Sequence, residues 1–557
     1  MSKRPASTSV RHALVLLLAA ALLPGCNAHL PQPSYEDIEI PQEKLRQIET
    51  LELQQADTQE VQLPDPNEAP PAELELSLEQ CRAFALQNNL QLKATLINPT
   101  IAAERLSEEE AKFEASIFAN VNLDKSEVPG GTLIEVAPGV FVPAVGASKS
   151  EAIVSNLGVQ VPLRTGGNVT FELSDSRTNN LNGGGVFNPT YRNQASLSIS
   201  QPFLRNAGQW ANMHSIRVAR YGWQAADART KLEVITVLAA IDRVYWRLYA
   251  ARRELEVREQ QFELAQAQLD QVRRLVDVGE RAEVEIVRAE AGVAQQLEAI
   301  IVAENNLRDR ERELKRVINK AGLDMQTPTV LVPQTEPDPV RYELAGPPLV
   351  QTAMDSRMEL LELELQILQD ASSVDYARSQ ALPLATIGYT YNIGATEETR
   401  NSSFDLLYSS EFTGHRLNAQ MVIPIGNKAA QSRIRQAIYQ RRARLATRND
   451  REALIELEVL NAVDQVEANW QRILAARQNS ILNGRLFEAE QRQFEVGLRT
   501  STEVLDAQTN FANAQSAEIS ALADYQIALV DLAYATGTIL GAARIQWEPI
   551  VPVTGTP

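Results

Sequence analysis

Hydrophobic positions recur along this chain with two different periods. Val234, Ile241, Leu248, Leu255, Phe262, Leu269 and Val276 follow one another at seven-residue intervals, with Ala251, Ala265 and Val272 three residues after some of them. A strict seven-residue repeat keeps one stripe facing a neighbour only if the helices supercoil, so the pattern predicts a long helix packed on another helix. A second stripe, Val459, Val466, Ile473, Phe487 and Phe494, keeps the same phase with polar Ser480 in its gap. Residues 216 to 279 alone would make about 95 Å of helix at ~1.5 Å per residue, more than most globular domains can house.

Elsewhere the period is two. "SIFANVNLD" (116–124) puts Ile117, Ala119, Val121 and Leu123 on one side, and "ASLSISQPF" (195–203) sets Leu197, Ile199 and Phe203 against Ser196, Ser198 and Ser200. "TIGYTYNIG" (386–394) and "LNAQMVIPIGN" (417–427) alternate likewise, and "LGVQVPL" (157–163) and "VTFELSD" (169–175), joined by the turn "RTGGN", add a further pair. These are half-apolar strands. Strands of about nine residues, in a chain without a transmembrane helix, suit an outer-membrane barrel, which must close because lipid cannot satisfy an open edge; a soluble sandwich is the other reading. Six strands fall short of the roughly eight in the smallest such barrels, so several chains are expected to share one. The glycine-rich "PGG" (129–131) and "NGGG" (182–185) are expected in surface loops between strands.

The two periods occur twice in the same order. "VDVGERAEVEIVRAE" (276–290) and "FEVGLRTSTEVLDAQ" (494–508) superpose at an offset of 218 residues, pairing Gly279 with Gly497, Arg281 with Arg499 and Glu285 with Glu503. The same offset pairs "IRVARY" (216–221) with "IRQAIY" (434–439), so a whole structural unit is duplicated. Repeat one is expected at 74–345, with strands about 116–205 and long helices about 210–320. Repeat two is expected at 346–545, with strands about 385–426 and long helices about 428–538, followed by a tail at 546–557.

The N-terminus adds an address. Lys3, Arg4 and Arg11 precede the apolar run 13–23 and then "LPGC", a signal peptide over 1–25 too short to span a bilayer. "LPGC" resembles a lipobox, which makes Cys26 a diacylated, palmitate-bearing anchor, followed by a Pro- and acid-rich tether to residue 73. Without its signal the chain has 50 Lys and Arg (53 − 3) against 71 Asp and Glu, a net charge of −21 (50 − 71), which argues against a nucleic-acid partner. Cys81, inside a helical pattern, is expected to be a core residue. His12, His29, His214 and His415 are scattered and form no metal-ligand pattern, so neither an enzyme nor a metal or other cofactor beyond the covalent lipid is expected.

Over residues 74–545 the chain resembles the TolC-type outer-membrane efflux family, on its duplicated helix, strand-pair, long-helix plan, "SISQPFLRNAG" (198–208) and above all "VGLRTSTEVLDAQ" (496–508). The resemblance implies a mainly α fold with a β-barrel part: a homotrimer whose shared outer-membrane barrel takes four strands per chain and continues as an α-helical coiled-coil barrel into the periplasm. It implies a passive export conduit for efflux or type I secretion, lodged in outer-membrane lipid and working with a periplasmic adaptor and an inner-membrane pump of RND or ABC type. A structural envelope-bridging lipoprotein without a pore is the alternative. In the family, acids at the Glu503 and Asp506 positions line the periplasmic aperture, and an Arg at the Arg499 position ties it to the first hairpin, where Glu285 is the matching acid. The turns at Gly279 and Arg281, and at Gly497, Leu498, Arg499 and Thr500, are the implied docking tips. Phe494 stands where the family has an aromatic hydroxyl, which removes one hydrogen bond from that lock.

Cys26→Ala should abolish incorporation of radiolabelled fatty acid and impair sorting more than folding. Wild-type protein without label would contradict acylation.

Overall fold

The computed structural model describes residues 72–181 and 187–546, so the signal, Cys26, most of the tether, "NGGG" and the tail lie outside the described residues. Repeat one begins with β1 (Glu73–Leu76), α1 (Leu78–Asn88), α2 (Leu90–Thr95) and α3 (Asn98–Ala111). Four strands follow, β2 (Ser116–Ala137), β3 (Val140–Pro162), β4 (Asn168–Asn180) and β5 (Thr190–Pro202), then α4 (Gly208–Asn212), α5 (His214–Asp277) and α6 (Val284–Ile318). After β6 (Val330–Pro333), repeat two runs through α7 (Gly346–Ser356), α8 (Met358–Gln380), β7 (Leu384–Glu397), α9 (Arg400–Ser409), β8 (Thr413–Val422), α10 (Lys428–Glu495), α11 (Ser501–Ala535) and α12 (Ile539–Ala542).

All six alternating segments enter one antiparallel sheet, ordered β2-β3-β4-β5-β7-β8, in which the β5–β7 pair joins the repeats. This is six strands per chain, not the four the resemblance implies. Directly opposed residues share a face, so the register sorts the sheet chemically. Ile117, Val159, Phe171, Leu197, Tyr391 and His415 form one row across it, and Ala119, Leu157, Leu173, Ala195 and Ile393 the next on the same face. The opposite face carries Ser116, Gln160, Thr170, Ser198, Thr390 and Arg416 in one row. Ile117, Leu157, Phe171, Leu197 and Leu417 are all exposed on the apolar face, although a residue in water would gain by burying them. Gly158 has its place because the Phe118 ring lies where a side chain would go.

The β2–β3 hairpin is longer than alternation predicts. "PGG" lies inside β2, not in a loop, and the two strands pair without interruption from Ser116↔Gln160 to a bulge at Glu135–Ala137. Each strand supplies the other with partners there, and Pro129 is tolerated because β2 is an edge strand. Lys125–Glu151 and Glu127–Lys149 pairs (2.6 and 2.9 Å) stand just beyond Leu123 on the same face and mark where its apolar stretch ends.

The long helices bury the predicted stripe: Val234, Ile241, Leu248 and Leu269 on α5, and Val459, Val466, Ile473, Phe487 and Phe494 on α10, with Ser480 also buried in the gap. Among the described residues no helix is long and apolar enough to cross a membrane. The largest core cluster gathers Ile241, Tyr245, Leu248, Leu314 and Leu331 around the short parallel β1–β6 pair. The Tyr245 hydroxyl donates to the Leu76 carbonyl (3.2 Å) and accepts from the Thr335 N–H (2.8 Å). Cys81 belongs to this core, where burial, and then the nearby Asp242, push its thiol up to about 12, so it stays protonated and inert. Next to it Arg82 makes a two-pronged pair with Asp242 (2.8 and 2.7 Å).

Arg82→Ala should destabilise the helical region by about 3–5 kcal/mol, because it leaves the Asp242 carboxylate buried without its partner. Arg472→Ala, which opens an exposed pair with Asp524, should cost less than about 1 kcal/mol. Denaturant unfolding followed by far-ultraviolet circular dichroism separates them, and equal midpoints would contradict the assignment.

Candidate functional site: the paired hairpin tips

Both long hairpins turn the same way. After α5, the Gly279 N–H bonds the Val276 carbonyl (2.8 Å) and the Glu280 N–H the Leu275 carbonyl (2.9 Å); after α10, Gly497 bonds Phe494 (3.0 Å) and Leu498 bonds Gln493 (2.9 Å). This doubled closure needs a left-handed residue, and Gly279 and Gly497 have φ of +77° and +83°. Any side chain there would be strained, which is why glycine sits at this point of both copies. Val278, Val496 and Leu498 are left exposed around the turns.

The two tips are tied by residues of the first. Arg281 donates to the Phe494 carbonyl (2.9 Å) while its guanidinium lies 4.7 Å from the centre of the Phe494 ring, a cation–π contact. Glu285 accepts from the Ser501 N–H (3.1 Å) and, at very short range, from the Ser501 hydroxyl, and pairs with Arg288 (2.6 Å). It thereby caps the N-terminus of α11, where a carboxylate also meets the positive end of the helix dipole. Burial opposes ionisation of Glu285, but the Ser501 bonds and Arg288 outweigh it and hold the carboxyl below the ordinary range. Beneath these contacts Leu269, Val272, Ala289, Phe487, Phe494, Val504 and Ala507 form a small core.

The second tip keeps its charges to itself. Arg499 pairs with Glu490 (3.0 Å) and Glu503 (2.6 Å) and donates to the Gln493 side chain (3.0 Å). Glu503 also accepts from the Thr500 N–H (2.8 Å), and that bond, then Arg499, lowers its carboxyl pKa, while Arg499 is raised in return, chiefly by Glu503. The expected Arg499–Glu285 tie is not formed within the chain: Glu285 is committed to Ser501, and Arg281 crosses in its stead. Glu503 and Asp506 share a face of α11, with Asp506 exposed. The Phe494 position, without a hydroxyl, is engaged through its ring and carbonyl. Arg281's crossing, Ser501 and Glu490 escape sequence reasoning; the one available signal was Ser501 directly after the helix-starting Thr500.

The model of the family described as "Outer membrane efflux protein" matches residues 147–320 and 349–538, which takes in both long hairpins and, of the six-stranded sheet, every strand but β2 and the first residues of β3. The chain is 22% identical to outer membrane protein TolC of Vibrio cholerae over 356 residues, 62% of this chain and 77% of that one. It is also 22% identical to TolC of Escherichia coli, over 62% of this chain and 69% of that one. Among solved structures, the Campylobacter jejuni CmeC outer membrane channel superposes with a TM-score of 0.60 at 14% identity, over 83% of this chain and 85% of that one. The open state of the Neisseria gonorrhoeae MtrE channel gives 0.56 at 16% identity, over 83% and 88%.

A group held below its ordinary pKa stabilises the fold above that ordinary value, about 4.3 for Glu, and loses the contribution as pH falls through the folded-state value. Protection of the Ser501 amide from hydrogen exchange should therefore drop on acidification below about pH 4. Glu285→Gln should lower that protection about tenfold at neutral pH and flatten its pH dependence. Wild-type protection in this variant would contradict the cap.

Proposed function

Because the chain belongs to the outer membrane efflux protein family, whose model covers both of its repeats, we propose that it is the outer-membrane conduit of a three-part export assembly, three copies sharing one barrel and one periplasmic helical tunnel. Outer-membrane residence and efflux follow from the family itself. The observation that carries the finer reading is the two-faced sheet: one face apolar and exposed, as lipid requires, the other lined with Ser, Thr, Asn and Gln, as a watery lumen requires. A pore-free bridging lipoprotein has no use for that polar face. The long helices α5 and α10, about 95–100 Å each, suit a tunnel that reaches toward the inner membrane.

In this reading the Cys26 lipid adds an anchor, and the exposed Val278, Val496 and Leu498 meet the helical tips of a periplasmic adaptor, itself bound to an RND or ABC pump. Glu503 and Asp506 of three copies converge on the aperture, where like charges repel one another and attract cations. Arg499 offsets that repulsion within each copy by pairing with Glu490 and Glu503, while the Arg281 and Glu285 contacts keep the two hairpins of each copy together.

Arg499→Ala should raise single-channel conductance in planar bilayers and envelope permeability to bulky solutes. Glu503→Ala with Asp506→Ala should instead reduce cation selectivity. Reversal potentials under a salt gradient that match wild type in the double variant would remove these acids from the pore.

A further inference from the structure

The sheet ends in two free edges. β2 and β8 are each paired on one side only, and most of the ten residues of β8 are exposed. Unpaired peptide groups cost several kcal/mol each in hydrocarbon, so both edges need partners at the level of the apolar face. With an even number of strands in antiparallel order, β2 and β8 run in opposite directions, and β8 set beside β2 of another copy continues the antiparallel pattern. We propose that β8 of each copy pairs with β2 of the next in one fixed register, Thr413 opposite Lys125 through Val422 opposite Ser116, closing a barrel of eighteen strands (three times six). This rests on the reading above that three copies share a barrel.

The register follows from the sheet's own geometry. Traced along the pairs, Ile117 is level with Val159, Phe171, Leu197, Tyr391 and finally His415. An eight-stranded barrel with a shear of eight tilts its strands by about 36°, and tilt depends on the ratio of the two, so eighteen strands with a shear of eighteen tilt equally. That lies within the ~35–45° of outer-membrane barrels. Divided among three copies it is a stagger of six residues, which the common right-handed twist directs along β2 from Ile117 to Leu123. His415 then opposes Leu123 of the next copy, Leu417 opposes Val121, Ala419 opposes Ala119 and Met421 opposes Ile117. On the polar face Arg416 meets Asn122, diagonal to Asp124, and Asn418 meets Asn120.

Chemistry agrees with this register. An odd stagger would turn apolar residues onto the polar face. A stagger of eight tilts the strands by about 45° and leaves Ser116 and the apolar Ile117 at the start of β2 without a partner, whereas at six every residue of β8 pairs and β2 is covered from Ser116 to Lys125, the level at which its charged pairs begin. The result is a barrel about half as wide again as the twelve strands that four per chain would build, since diameter grows roughly linearly with strand number.

Engineered cysteines in the full chain test the seam. Asn120→Cys with Asn418→Cys should oxidise to a covalent trimer that survives boiling and returns to monomer on reduction, while Asn122→Cys with Asn418→Cys, two residues out of register, should cross-link several-fold less. Buried Cys81 should add no background. Preferential cross-linking of the shifted pair overturns the register. A conducting trimer that cross-links at neither pair overturns the seam but leaves the channel, whereas a non-conducting monomer overturns the shared barrel itself.

Discussion

A peptide group without a hydrogen-bond partner cannot stay in hydrocarbon, and most of this architecture follows from that. Among the described residues no helix is long and apolar enough to cross a membrane, and it is the alternating segments that carry the exposed apolar face. A strand satisfies its backbone only through its neighbours, which is why the strands of both repeats lie in one sheet and why the β5–β7 pair between repeats is as regular as any pair within one. The same constraint sorts the side chains: with every residue opposed to one of the same face, one polar strand out of phase would put charge into lipid.

On the water side the governing term is apolar burial along a narrow stripe. α5 and α10 would bury little as lone helices, and each gains its core by folding back on α6 or α11. The turn that lets them do so is doubled by gene duplication, down to its left-handed glycine and its two closing bonds.

Duplication did not keep the side-chain roles equal. Arg281 and Arg499 are counterparts, as are Glu285 and Glu503. Arg281 and Glu285 reach across to the other hairpin and are spent on holding the two together. Arg499 and Glu503 close on their own hairpin and leave acid on an exposed helix face. A duplicated backbone thus yields one copy that fastens and one that presents charge.

The sequence by itself determined what depends on neighbours in the chain. The seven-residue stripe, the six alternating segments, the two glycine turns and the core place of Cys81 were legible because period, φ preference and hydrophobicity are local properties. What only the tertiary structure decided were choices among partners. β2 runs on through Pro129, Gly130 and Gly131 because β3 is there to pair with it, which no local propensity announces. Arg499 could have met any of several acids, and Glu285 went to Ser501 because folding brought the start of α11 beside it, 216 residues away. Periodicity states which face a residue takes; which group waits on that face depends on how distant segments pack.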